Sequence, residues 1–418
     1  MKLNWKRVIL FGAFVLTAIL IGYLLYFFFL KPAIPVVTPG VNVNVGPGGL
    51  PPANVNANIP VAGNVNGGLP GGANANLAPP PPPPSGETAS AVATGGLTQT
   101  TALTSVRAYQ PTLAADGNSV IYYDKTTGLF YRINADGRAT PISDQVFYDV
   151  EKVTWSPDKN LAILEYPDSA KIIYDFSAGK QVSLPKHWKD FSFSPQNNQL
   201  VFKSLGTSDS SRWLAVAKAD GSEATKIENL GANDATVYPA WSPNSQIVAL
   251  YTEGQGLDRQ NLNFVGLNNE NFKSTVIEGR GFAGQWSTTG NRLLYSVYSS
   301  ASDLKPTLWI VEAQGDSIGQ NRKNLKLETW ADKCTFSNND TIYCAVPQSL
   351  SEGAGLFRRE LDTAACDIYK IDLTTGFKTK IAIPAISQNI EQLIVSGDSR
   401  YLYYSSLTDG KLYKINLK

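Results

Sequence analysis

The chain has 418 residues but only one histidine, His187, and three cysteines, Cys334, Cys344 and Cys366. One imidazole cannot build a multi-histidine zinc site. A Ser–His–Asp triad would have to run through His187, which sits in LPKHWKD with no strained nucleophile turn nearby. Gly-x-Ser-x-Gly occurs once, at Gly315-Asp316-Ser317-Ile318-Gly319, and no helical periodicity follows it, as a nucleophile elbow would need. Paired carboxylates of the kind that cleave glycosidic bonds are the catalytic option left, and sialidase-type Asp-box repeats are missing. No residue is therefore assigned to catalysis, to a cofactor or to a metal, and the expectation is a protein that is not an enzyme.

The cysteines suit a different chemistry. Cys334 and Cys344 flank a Ser-Asn-Asn-Asp turn, and if Phe336 faces Ile342 across that hairpin, Cys334 faces Cys344. This is the candidate disulfide, and it needs a compartment outside the reducing cytosol. Directly paired strand positions do not always meet disulfide geometry. Cys366, on the next strand, is the alternative partner, and three buried thiols are the remaining outcome. Asn339-Asp-Thr has the form of a glycosylation sequon and is read as a chance match.

Candidate binding residues fall on four long segments, roughly 204–212, 252–261, 298–307 and 347–364. They are Asp209 and Arg212, Asp258 and Arg259, Asp303 and Lys305, and Arg358, Arg359 and Glu360. Loops on a rigid scaffold are where binding residues gather, although each of these charges taken alone equally fits a solvated loop. Trp188, Trp213, Trp309 and Trp330 are candidates for stacking on a glycan, or else core residues. A net charge near +1 argues against nucleic-acid binding through bulk electrostatics.

The scaffold for these loops is repetitive. WSPDKNLAILEY at Trp155 returns as FSPQNNQLVFKS at Phe193, WSPNSQIVALY at Trp241 and WSTTGNRLLYSV at Trp286, with weaker copies at Leu113, Phe336 and Val395. Residues 110–418 thus hold seven repeats of about 44 residues each, the length of a four-stranded propeller blade. Proline presets φ at the second position of the Ser-Pro-Asx turn, Asp or Asn suits the positions after it, and the serine hydroxyl bonds back to the turn. The strand that follows is apolar on both faces, as it must be where sheet packs on sheet rather than facing water. Each repeat then adds a short aromatic and β-branched strand and a Gly, Asp or Asn turn, as in GLFYRINADGR. The expected fold is all-β: a seven-bladed β-propeller of four-stranded antiparallel blades. Its long connections join the second and third strands of blades three to six and emerge on one face. KLYKINLK matches a third strand, so TALTSV at 101–106 is expected to supply the missing outer strand and close the ring.

These residues resemble the WD40-like (PD40) propeller repeats of the TolB family. The pattern fits at Trp155-Ser156-Pro157-Asp158 with Ile172 to Gly179, at Phe193 and Trp241, and at Asp367 to Gly376. The resemblance covers about 300 residues and implies the propeller fold. TolB-like proteins carry an α/β domain ahead of the propeller, and this chain has different material there.

That material has two parts. Residues 8–30 are 23 residues without a charge. As a helix they would span about 35 Å, enough for a hydrocarbon core of roughly 30 Å. Lys2, Lys6 and Arg7 precede them, so residues 1–7 are expected in the cytoplasm and the rest outside. The stretch is long for a cleaved signal peptide and ends in Tyr-Phe-Phe-Phe-Leu-Lys-Pro, a poor cleavage context. From 31 to 97 glycine, proline and asparagine dominate, and Glu87 is the only charge between Lys31 and Arg107. This is the composition of a disordered linker, with an end-to-end distance of ~45 Å and a stiff proline run at 79–84. The propeller is assigned to residues 98–418. Together these features imply a single-pass cytoplasmic-membrane protein whose propeller binds an envelope protein partner. A cell-wall glycan ligand is the alternative, and a propeller enzyme a more distant one.

Overall fold

A computed structural model of the chain describes Leu20 and residues 88–418. The expected cytoplasmic segment, the rest of the membrane helix and the linker up to residue 87 lie outside the described residues. Among the described residues no helix is long and apolar enough to cross a membrane.

The recurring phrase folds as a capped turn. Ser156 Oγ accepts the Leu161 N–H at 3.0 Å and donates to Asp158 Oδ1 at 2.6 Å. Ser242 does the same with Ile247 and Asn244 at 2.9 and 2.6 Å, and Ser396 with Tyr401 and Asp398 at 3.0 and 2.6 Å. Ser156, Ser194, Ser242 and Ser287 are wholly buried. Each hydroxyl therefore satisfies backbone groups that water cannot reach. Three residues after the serine the backbone turns left-handed, at Lys159, Asn197, Ser245, Gly290 and Ser399. Only at Gly290 is there no Cβ to oppose that conformation.

From each turn the chain enters a second strand with almost no exposed side chain, as in Val120–Asp124 and Arg292–Tyr298. Third and fourth strands follow antiparallel, by connections that are short except between the second and third strands of blades 3 to 6. Seven sheets result, at residues 109–141, 152–184, 188–229, 237–277, 280–324, 334–384 and 390–416. The buried side chains form seven clusters, and each joins one sheet to the next. Ile163, Leu200 and Phe202 join blades 2 and 3, for example, and Val120, Tyr122 and Tyr403 join blades 1 and 7. The core is thus a ring, and the innermost strands leave a channel along its axis.

The turns reinforce that ring. Asn197 Oδ1 accepts from the Asp158 N–H at 3.1 Å, Gln196 donates to Ser245 at 2.8 Å, and Asn244 donates to the Gly290 carbonyl at 3.0 Å. Thr288 donates to Asn339 at 2.8 Å, Ser337 and Ser399 bond at 2.8 Å, and the Gly397 N–H reaches the Gly117 carbonyl at 2.6 Å. Six of the seven blade junctions carry such a staple. Blades 1 and 2 instead meet higher on the inner strands, where Gln110 Oε1 accepts the Val153 N–H at 3.2 Å. Asn339, the sequon residue, is one of these staples.

Ring closure uses Thr101–Ala102, which pairs antiparallel with the last strand, Leu412–Asn416. It is shorter than the expected segment 101–106. Two features depart from the sequence reading. Blade 6 has five strands, because Leu97–Thr98 adds in parallel to Lys378–Pro384. Residues 88–97, assigned above to the linker, lie along the folded body as a strap. Gly95 donates to the Ile381 carbonyl at 2.7 Å, Ala93 to that of Asn416 at 2.9 Å, and Thr98 is fully buried. The strap is held by backbone groups, so its small uncharged residues give no strand pattern to read.

Candidate functional site

In a four-stranded meander the second-to-third connections and the links between blades emerge together, opposite the capped turns. The structure puts all four long segments on this face and stitches three of them side by side. Asp258, in blade 4, accepts from the Ser300 N–H of blade 5 at 2.9 Å and from its hydroxyl. These hydrogen bonds hold the Asp258 carboxyl below the usual carboxylate range. Asp303 and Leu304 are both left-handed, and their carbonyls accept from Gly353 and Gly355 of blade 6 at 2.9 and 2.8 Å. A Cβ on Gly355 would lie 2.7 Å from the Leu304 carbonyl oxygen, so this approach requires glycine.

Most of the charges singled out in the sequence are engaged within the protein. Arg212 pairs with Asp209 at 3.2 Å and with Asp234 at 3.1 Å, and so folds its loop onto the connection that follows blade 3. Arg259 pairs with Glu278 at 3.1 Å, and Lys305 with Glu328 at 3.6 Å. Arg358 opens the one-turn helix Arg358–Leu361, grips both oxygens of Asp332 at 2.8 and 3.1 Å, and lies 4.6 Å from the centre of the Trp330 ring. Exposed surface charge without an ion pair among the described residues remains at Asp303, Arg359 and Glu360.

Beneath the blade 6 loop is a cluster that the sequence did not disclose. Lys333 is fully buried, and its ammonium donates to Asp362 at 2.9 Å, Asn389 at 2.8 Å and the Ile390 carbonyl at 2.7 Å. All three ammonium protons are satisfied, and the end of the 347–364 loop is pinned to blade 7. Cys366 lies beside it with Sγ 3.7 Å from Asn389 Oδ1, and burial pushes its thiol pKa up. Cys334 and Cys344 face each other in register and are joined as a disulfide.

The face is also where apolar side chains meet solvent. Nine large apolar residues between 88 and 418 are exposed, and seven are here. Leu257 is 88 % exposed at the blade 4 tip. Its own carbonyl is held by Arg280 at 3.2 Å, so it is displayed on a fixed backbone. Leu356 and Phe357 cap the blade 6 loop, Ile386 and Leu407 belong to blade 7's connections, and Val146 and Tyr148 link blades 1 and 2. The other two, Val182 and Phe377, lie on an outer strand and on the capped-turn side. The four tryptophans are occupied elsewhere. Trp188 and Trp330 are buried, Trp309 stacks with Tyr295, and Lys226 sits over Trp213. His187 is exposed and makes no side-chain hydrogen bond among the described residues.

The channel holds two cavities, of about 420 and 490 Å3. The first is walled by Gln110, Thr112, Thr154, Trp155, Lys159, Glu391 and Gln392, and the second adds Gln285, Asp332 and Thr335. Lys159 enters from its turn. Loss of hydration pulls its pKa down to about 8, against a weak upward pull from Asp158. This residue was overlooked because a lysine in a turn reads as solvated.

The fold and its loop face define a class of protein, the seven-bladed β-propellers. No protein-family model matches the chain, and no curated protein does. Solved propellers do. An oligogalacturonate lyase from Vibrio parahaemolyticus is 12% identical with a TM-score of 0.50, over 76% of this chain and 93% of that one. The β-propeller domain of Cps50 (Swd1) from Myceliophteria thermophila is 11% identical at a TM-score of 0.49, over 76% and 100%. TolB from Acinetobacter baumannii is 13% identical at 0.41, over 64% and 65%. At such identities the likeness is one of fold.

Proposed function

We propose that the chain is a non-enzymatic protein-binding module, held at the cytoplasmic membrane by residues 8–30 and presented on the extracytoplasmic side of a cell envelope, with the long-loop face as its docking surface. The distribution of exposed apolar side chains carries this reading, with seven of nine on that face. Aromatic and aliphatic anchors ringed by polar groups are what protein interfaces use. The stitched loops support it further, because loops already fixed lose little freedom on binding. The Cys334–Cys344 disulfide is in keeping with an oxidising compartment. The engaged tryptophan faces give no support to a glycan ligand, and nothing from the lyase beyond its fold is carried over.

The test is in-cell photo-crosslinking from Leu257 and from Phe357, with Phe377 on the opposite face as the control position. One defined partner is expected from the first two sites and not from the third. Leu257→Asp combined with Phe357→Asp should abolish its capture while the melting temperature stays unchanged. Equal capture from both faces, or recovery of cell-wall fragments without protein, would overturn the reading.

A further inference from the structure

The smaller channel cavity contains two opposite charges that do not neutralise each other. Lys159 Nζ has no hydrogen-bond or ion-pair partner among the described residues. Glu391, on the blade 7 side of the same cavity, has only the Ser405 hydroxyl at 3.4 Å. The equivalent residues of three other turns, Asn197, Ser245 and Ser399, use their side chains to staple neighbouring blades. Lys159 stands at the one junction without a turn-to-turn staple, and its ammonium is left for the channel. An ammonium partly shielded from water and unpaired is unfavourable, and nothing in the ring's construction requires it.

The other charges nearby are already committed. Asp158 is held by the Ser156 hydroxyl and by Asn160. Lys152 pairs with Glu165 and Asp190, and Asp332 in the adjoining cavity is held by Arg358. A simple anion would meet Glu391, and a simple cation would meet Lys159. A molecule with one charge of each sign answers both. Thr112, Thr154 and Gln392 add hydroxyl and amide partners, and about 420 Å3 lies within the usual range for small-molecule sites.

We propose that this cavity binds a small zwitterion of the amino-acid class, with its carboxylate on Lys159 and its ammonium group on Glu391. The site goes beyond the docking face, since it uses the channel wall and none of the long loops.

Calorimetry on the full-length protein tests this with L-alanine, L-glutamine and L-phenylalanine at concentrations up to about 20 mM, alongside N-acetyl-L-alanine and L-alaninamide. At least one free amino acid should bind, and each blocked form should bind roughly tenfold or more weakly. Lys159→Met should erase the preference over the amide, and Glu391→Gln the preference over the acetylated form. Between pH 7 and 9 the wild-type affinity should fall about tenfold as Lys159 loses its proton, and Lys159→Met should lack that fall. No binding by any of the three amino acids, equal binding of the blocked forms, or wild-type affinity in Lys159→Met would each overturn the proposal. The blocked-ligand comparison needs no variant, so a misfolded substitution cannot rescue it.

Discussion

On one face of the propeller, buried serines close short turns whose next residues reach across to the neighbouring blade. On the other face, the connections grow to the stretch 348–365 and bond chiefly to one another. The same strands feed both faces. The difference is one of tolerance. A capped turn has its length and polar partners fixed by the ring, so little else fits there. A second-to-third connection leaves the ring altogether and returns to it, and loop closure penalises added length only slowly. The stapled face therefore holds the geometry, and the looped face is free to carry anchors such as Leu257 and Phe357.

This contrast can be broken at its strongest exception. The Lys333–Asp362 pair lies on the looped face yet is buried, so Asp362→Ala should cost roughly 3–5 kcal/mol in urea unfolding by leaving a charge without its partner. A loss under about 1 kcal/mol would mean that the looped face bears no structural weight even there. Replacing Cys334 and Cys344 by serine removes a crosslink over a short separation and should cost about 2–3 kcal/mol, measured the same way. Ser242→Ala removes one buried turn hydroxyl and should cost about 1–2 kcal/mol, with partner capture from Leu257 unaffected. Lys159→Met runs the other way. A lysine whose folded pKa lies near 8 binds fewer protons in the folded than in the unfolded state between about pH 8 and 10.5. Wild-type stability therefore gains over the variant as pH rises through that window. The methionine variant should be the more stable at pH 7, by on the order of 1 kcal/mol, with the gap closing by pH 10.5. The smallest effect on stability, within about 0.5 kcal/mol, belongs to Leu257→Asp, whose consequence should appear in partner capture instead.

What the sequence disclosed follows the same division. Trp155-Ser156-Pro157-Asp158 and its copies are local devices, complete within a few residues, so turn, strand and blade number were all readable from them. The Cys334–Cys344 register was readable because both residues belong to one hairpin. Arg358 and Arg212 were found as loop charges, but their partners Asp332 and Asp234 sit on other connections, so their engagement was not. Lys333 carries no local signal in the sequence, and only the convergence of Asp362, Asn389 and Ile390 buries it. Lys159 was hidden for the same reason, since its cavity is assembled from residues near 110, 154 and 391. Leu97–Thr98 was hidden because backbone pairing leaves no mark on side-chain pattern.

The strap has a mechanical consequence. Before the chain reaches the closing strand Thr101–Ala102, it is bonded to blade 6 through Ile381 and Ile383 and to blade 7 through Asn416. Tension applied ahead of residue 88 is thus divided between two blades before any of it reaches the two-residue seam that keeps the ring shut. The strap would yield first and the seam second, so it acts as a strain relief, taking a tug on the leading chain before the circle can open.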